Sequence, residues 1–426
     1  MRFVRRGRQR QGAHLSPRAA WPNRGLAAGL VAAAVLLGWW LPHAERSHDL
    51  GGLSYDPAAA QATLGAIASG IIALTGFVLT AVTLVIQSVQ STSPRLAGVL
   101  GFFERSLVLF GALTGTAVYA LVVLAQVGAR HVPRLSVTLA IVFVVLSTGA
   151  TLSTLAGLRQ VITGGGLVRT VGRQLHTALD DAWYTPARTP SAPRVESDVV
   201  TATGSGVVQH IDGPAVAEAL AGCGARVTCL TAVGSFVEPG APLMRVTSGT
   251  LSEPVTRRLI RAVHLGPSRH IEHDPAYGLR LLVDIAIRAL SPGINDPTTA
   301  VQALDQIEAV LLRFASRPLG PATVQDRRGV DRVVIPRPDW ATLLDLALAE
   351  VLLYGAGSLQ IQRRLRALLD SLTRVVPPSR TAALAPYRAV LDRAADTLPD
   401  AALTRSARVP DAQGLGGPAA ADERTG

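Results

Sequence analysis

The chain contains no lysine: all 41 of its basic residues are arginine. With no primary amine on any side chain, it can form no Schiff base, carry no biotinyl or lipoyl group and build no P-loop. Cysteine is scarce as well, limited to Cys223 and Cys229. Two thiolates without a nearby histidine cannot close a structural zinc site, so both are read as small buried hydrophobes. Aromatic residues make up only 4%, too few to interleave with arginine on a nucleic-acid-binding face. The net charge of +11 therefore carries no nucleic-acid reading. Together with the alanine richness, the all-arginine basic set fits the codon bias of a GC-rich genome.

What the chain has in quantity is apolar sequence: 48% hydrophobic residues and a mean hydropathy of +0.32. Residues 1–24 form a basic tail with Arg2, Arg5, Arg6, Arg8, Arg10, Arg18 and Arg24 and no acid. The run 25–41, ending in Trp39-Trp40 before Pro42, is long for a signal-peptide core and lacks a small-x-small cleavage site, so it reads as a membrane anchor. Residues 62–89, 107–127 and 135–158 are each long enough to cross a hydrocarbon core of about 30 Å. Arginines 95, 105, 159, 169 and 173 fall on one side of these four spans. On the other side Arg46 is balanced by Glu45, Asp49 and Asp56, with only Arg130 and Arg134 besides. The positive-inside rule then places both termini in the cytoplasm of a multi-pass protein of the bacterial plasma membrane. His43, Glu45, His48 and Asp49 in the first outer loop read as solvated loop residues rather than as a cation site.

After the transmembrane domain at 25–158, residues 159–194 read as a juxtamembrane helix and a proline-rich linker. Gly164-Gly165-Gly166 interrupts the helix, and 167–183 resumes as an amphipathic lever. Residues 195–250 form a small β-rich module. The stretch 233–243, with Gly234 and Gly240 at its bends, looks like the turn-and-strand repeat of barrel-sandwich hybrid folds. Relatives that carry a cofactor there use a lysine, so this module reads as structural or as a ligand pocket, and no cofactor is expected. Residues 251–405 read as a helical domain, with helices over 253–265, 340–354, 358–375 and 379–398, and 406–426 as a disordered tail. The fold class is thus a four-span α-helical membrane domain followed by a cytoplasmic α+β region, a small barrel-sandwich-like β module plus a helical bundle.

The densest chemistry lies in 281–300, LLVDIAIRALSPGINDPTTA. Arg280, Asp284 and Arg288 are spaced four apart and share one side of an otherwise apolar helix. Ser291-Pro292-Gly293 stops that helix, with the glycine expected to supply the unusual turn conformation. Asp296 before Pro297 restarts the chain as a helix, as N-cap and first-turn residue. The run ALSPGINDPTTA with the preceding LVDIA resembles the signature of a bacterial membrane-protein family known as domain of unknown function 2254. Ser93-Pro94-Arg95-Leu96, the segment from Gly206 to Asp212, and Gly266, Arg269, Asp274 and Gly278 agree with it, so the resemblance covers most of 60–370. It implies several membrane helices followed by a soluble domain, and supplies no activity or catalytic residue. The chain departs from the expected pattern at His270 and His273, where a threonine and a glutamine-like residue are expected.

Three site readings stay open at this point. His270, His273 and Asp274 could gather a metal and activate water as a hydrolase, although no HExxH or comparable spacing supports it. Alternatively Arg269 and Asp274 hold the loop, and an anion or small-molecule ligand engages Arg269, Asp274, Asp284, Arg288, Asn295 or Asp296. Asn295 and Asp296 serve equally well as turn and cap residues. The third reading is a stripe in the second span, Ser69, Ala73, Gly76, Thr80, Thr83, Gln87 and Gln90, spaced alternately by four and three. A face of small and polar groups is costly toward lipid, so it either packs helix on helix, aided by Gly111-xxx-Gly115, Ser147, Thr151 and Thr154, or lines a pore shared by several copies. These features favour a homo-oligomeric, channel-like or transport-related protein over an enzyme, with a membrane-anchored sensor or scaffold as the alternative.

Overall fold

In a computed structural model the chain falls into two compact units, Met1–Ile162 and Thr163–Gly426. The structure describes residues 20–47, 53–92, 102–128, 131–162, 165–182 and 198–415. Most of the basic tail, His48, Asp49, the 93–96 segment, the proline-rich linker and the tail from 416 lie outside the described residues.

The first unit consists of α1 (Ala20–Ser47), α2 (Pro57–Thr92), α3 (Phe102–Leu124) and α4 (Arg134–Ile162). Each contains a stretch long and apolar enough to cross a membrane: Asn23–Ser47, Pro57–Gln90, Ser106–Leu124 and Arg134–Gly157. Helix α3 packs against the other three. Its glycines let α1 approach closely, because a Cβ at Gly111 would sit 2.6 Å from the Ala27 Cα and one at Gly115 would sit 3.3 Å from the Leu30 carbonyl oxygen. This is the small-xxx-small packing expected from the sequence. Between α3 and α4, the Thr116 and Ser147 hydroxyls lie 2.9 Å apart, and Thr151 donates to the Ser147 carbonyl at 2.8 Å. Glu45 has a structural task. Its carboxylate accepts the backbone N–H groups of Leu135 at 2.9 Å and Ser136 at 2.8 Å, and also the Ser136 hydroxyl, satisfying donors that the first turn of α4 leaves free.

The second unit opens with α5 (Gly166–Ala182), after which come β1 (Val199–Thr201), β2 (Gly206–Ile211), α6 (Gly213–Ala221), β3 (Arg226–Cys229), β4 (Phe236–Val237), β5 (Pro242–Ser248), α7 (Glu253–Arg261) and β6 (Val263–Gly266). Helices α8 (Pro275–Ala289) and α9 (Pro297–Ala315) are followed by β7 (Ala322–Gln325), β8 (Asp331–Ile335), α10 (Trp340–Gly355), α11 (Leu359–Val375), α12 (Pro378–Thr381), α13 (Ala385–Asp396) and α14 (Ala401–Arg408). Among the described residues two sheets form, ordered β1-β5-β3-β8-β7 and β4-β2-β6. Only β3 and β8 run parallel; the other pairs are antiparallel. Val208, Ile211, Val227, Met244, Val246, Leu259 and Val333 meet in one apolar core beneath both sheets. Gly234 and Gly240 make the expected bends at φ of 90° and 86°, values that a side chain resists.

Three sequence expectations are corrected here. The helix read over 253–265 ends at Arg261, and β6 follows, because Val263 and Leu265 flank His264 in a two-residue alternation and pair with Ile211 and Val208 of β2. The β7–β8 hairpin at 322–335, also read within the helical stretch, joins the larger sheet through β3. Cys229 is buried, and burial pushes its thiol up to about 12, but Cys223 is exposed because it lies past the last buried turn of α6.

Candidate functional site

Helices α8 and α9 pack against each other; of the six ligand candidates of the second unit, Asp284 and Arg288 lie on α8, and Arg269, Asp274, Asn295 and Asp296 lie in the segments that lead into the two helices. Both begin with an Asp-Pro pair. Asp274 accepts the Tyr277 N–H at 3.0 Å and Asp296 accepts the Thr299 N–H at 3.0 Å, while Pro275 and Pro297 occupy the first turn, where a missing N–H costs nothing. Asp296 also takes the Thr299 hydroxyl at 2.5 Å. The turn between the helices differs from expectation in one residue. Asn295, at φ 48°, is the only non-glycine in the left-handed region among the described residues, and Gly293 is not there. An asparagine side chain bonds locally and tolerates that conformation.

At the N-terminus of α8, Arg269 donates from Nε to Asp274 at 2.8 Å and approaches it again through Nη2 at 2.7 Å. Its guanidinium lies 5.2 Å from the centre of the Tyr277 ring and fills the space a side chain at Gly234 would need. Asp274 is 6% exposed. Burial raises the pKa of its carboxyl above the usual aspartate value, while Arg269 and the Tyr277 N–H pull it down. Midway along α8, Arg280 donates to Asp284 at 2.7 Å and reaches α10, where Glu350 takes two further bonds, one of them at 2.9 Å. Hydrogen bonding from Arg280 holds Glu350 below the usual carboxylate range. Arg288 is exposed at the far end of the helix.

The six residues are therefore not gathered in one place. Helix α8 alone is about 22 Å long at 1.5 Å per residue, and the residues divide among a cap at one end, a triad in the middle and a turn at the other. Asp274, already shared between Arg269 and the helix cap, has little left for a metal. Among the described residues no group of three or more His, Cys, Asp or Glu is arranged to hold a metal ion.

Sequence reasoning missed several partners. Glu350 lies 70 residues from Arg280, a separation that no local spacing reveals. Arg364, 4% exposed, is paired with Asp305 at 2.9 Å and Glu308 at 2.5 Å and ties α11 to α9. His210 and His264 face each other across β2 and β6, and only strand register brings them together. An available signal was the repeated Asp-Pro, which marks Asp274 as a cap as clearly as Asp296.

In the first unit the stripe on α2 has a definite orientation. Leu64, Ala68, Ile71, Val78, Val82 and Val85 are buried against the other helices. Ser69, Ala73, Gly76, Thr83, Gln87 and Gln90 each lie five residues after one of them, about 140° further round the helix at 3.6 residues per turn. These six and Thr80 are all exposed. A Cβ added at Gly76 meets nothing within 4 Å. Ser69, Thr80 and Thr83 return their hydroxyls to carbonyls of the preceding turn at 2.9, 3.0 and 2.8 Å. Gln87 and Gln90 carry amides with two donors and an acceptor each.

A family model described as "Predicted membrane protein (DUF2254)" matches residues 19–371. An uncharacterized protein of Mycobacterium bovis and one of Mycobacterium tuberculosis are each 32% identical over 281 residues, covering 63% of this chain and 54% of their own length. The chain thus spans about half the length of these relatives. No solved structure matches it. A match that runs through all four apolar helices and the α8–α9 pair has one consequence: the chain belongs to the family of predicted membrane proteins designated domain of unknown function 2254.

Proposed function

We propose that the protein is a homo-oligomeric, channel-like or transport-related protein of the bacterial inner membrane, with both termini cytoplasmic and conduction regulated by the C-terminal unit. The observation that carries this reading is the placement of the α2 stripe. Packing within the protomer does not use it, since a different face of α2, offset by five residues, is buried. Lipid accepts the back-bonded hydroxyls but is a poor solvent for the Gln87 and Gln90 amides. A second copy or water meets those groups better, and four spans per chain are few for a complete conduit. Several copies turning this face to a common axis form a weakly selective pore.

Regulation through the C-terminal unit is supported by the way α5 is held. Only residues 163–165 separate the end of α4 from α5, and α5 is built into its own unit, with Val168, Val171, Leu175 and Leu179 fully buried. Arg313 of α9 donates to the His176 carbonyl at 3.0 Å, and Arg317 donates to that of Leu179. Gly165 and Gly172 lie against Gln302 and Gln306 of α9. A shift of α9 therefore carries α5 with it, and α5 is the element that follows the fourth span in the chain. In the same reading the β-rich segment is a small barrel-sandwich-like core that bears no attached cofactor, lysine being absent. Ion flux through proteoliposomes tests the proposal. Conduction that falls several-fold with Thr83→Leu or Gln87→Leu supports it; oligomers that pass no ions, or flux indifferent to both substitutions, would leave a membrane-anchored sensor or scaffold.

A further inference from the structure

We propose that His210, His264 and His273 form a pH-sensitive latch that releases the 267–274 loop from the three-stranded sheet on acidification. The three imidazoles stand in a row. His210 on β2 pairs directly with His264 on β6, with ring centroids 5.7 Å apart, and the His273 ring lies over His210 at 4.3 Å and 35°. His264 and His210 are fixed by the strand ladder, whereas His273 rides on the loop that leads into α8. The loop has further attachments, among them the Arg269 guanidinium, which lies against Gly234. Gln209 donates to the Ser268 carbonyl at 2.7 Å, Ile271 is buried, and Arg269 bonds to Asp274 within the loop itself.

At neutral pH neutral rings stack without cost. Charging two neighbours places like charges about 4–6 Å apart, an arrangement that disfavours both. The central ring, His210, has a neighbour on each side. The groups facing His273 divide as follows. Partial burial lowers its pKa below the ordinary histidine value, Glu272 opposes that shift, and His270 and His264 reinforce it. A histidine that takes its proton less readily when folded favours the folded arrangement above about pH 6.5. That advantage is lost as the pH falls below this value. Since His273 is the one ring not held by strand pairing, it is the ring that leaves, taking with it the neighbouring Asp274 cap and loosening the first turn of α8.

Hydrogen exchange read by mass spectrometry on the full-length protein in detergent tests this, at about pH 7.5 and pH 5.5 with intrinsic exchange rates corrected. The loop amides of 267–274 should lose protection several-fold at the lower pH, while the amides of α11 keep theirs. His273→Asn should abolish the difference. His210→Gln, which leaves the loop sequence intact, should diminish it as well. Protection in the native loop that is indifferent to pH, an undiminished pH response in both variants, or loss in α11 in parallel with the loop would overturn the proposal.

Discussion

Aspartate sets five of the helix starts described in the second unit: Asp212, Asp274, Asp296, Asp339 and Asp400 each accept a backbone N–H from the first turn that follows. Removing such a cap costs about 1 kcal/mol. Asp296→Ala should therefore lower the urea midpoint of the second unit by a corresponding amount; an unchanged midpoint would mean that the Thr299 contacts are not what holds this turn. Glu350 gives a prediction with a sign. Its pKa lies below the ordinary value chiefly because of the Arg280 hydrogen bond, so its contribution is present above about pH 4.3 and is lost as the pH falls through its lowered folded value. Acid titration of stability should be shallower in Glu350→Gln than in the native chain, and parallel titrations would contradict the pairing. The Asp296 cap was legible in the sequence because Asp-Pro is a local signal, and the same signal was available at Asp274. Glu350 and the His210–His264 pair were not, since both contacts depend on how distant elements meet.

Glycine on the membrane helices separates two kinds of surface. Gly111 faces the backbone of Ala27 at a distance no side chain can occupy, whereas Gly76 faces open space. Gly111→Leu should force α1 off α3 and lower thermal stability in detergent, by roughly 1–3 kcal/mol as overpacking usually does. Gly76→Leu should leave the protomer's stability unchanged and weaken association between copies instead. Equal melting of both variants would put Gly76 inside the fold and remove the distinction. Apolar length was enough to place the four apolar helices within six residues of their ends, and the 3.6-residue period disclosed the stripe. Strand pairing was harder to read. Strands β6, β7 and β8 are four or five residues long and sit among helices, so their alternation is too brief to outweigh the surrounding helical pattern.

For the whole molecule, the two faces of α2 decide between a self-contained four-helix protein and one completed by further copies. The helix is long enough to matter at both ends. Its apolar stretch of 34 residues extends about 51 Å at 1.5 Å per residue, well beyond a hydrocarbon core of about 30 Å. From Ser69 to Gln90 the stripe itself runs about 32 Å on the same rise, a length that matches the core. The most direct test is disulfide cross-linking in native membranes, with single cysteines introduced at Thr80, Thr83 and Gln87 in a chain whose Cys223 and Cys229 are replaced by serine. Phe77→Cys, on an exposed apolar part of the same helix, serves as control. Oxidation should join chains through positions 80, 83 and 87 and leave the position 77 variant monomeric. Chains that stay monomeric at all four positions, or link equally well through position 77, would contradict a shared axis on this face.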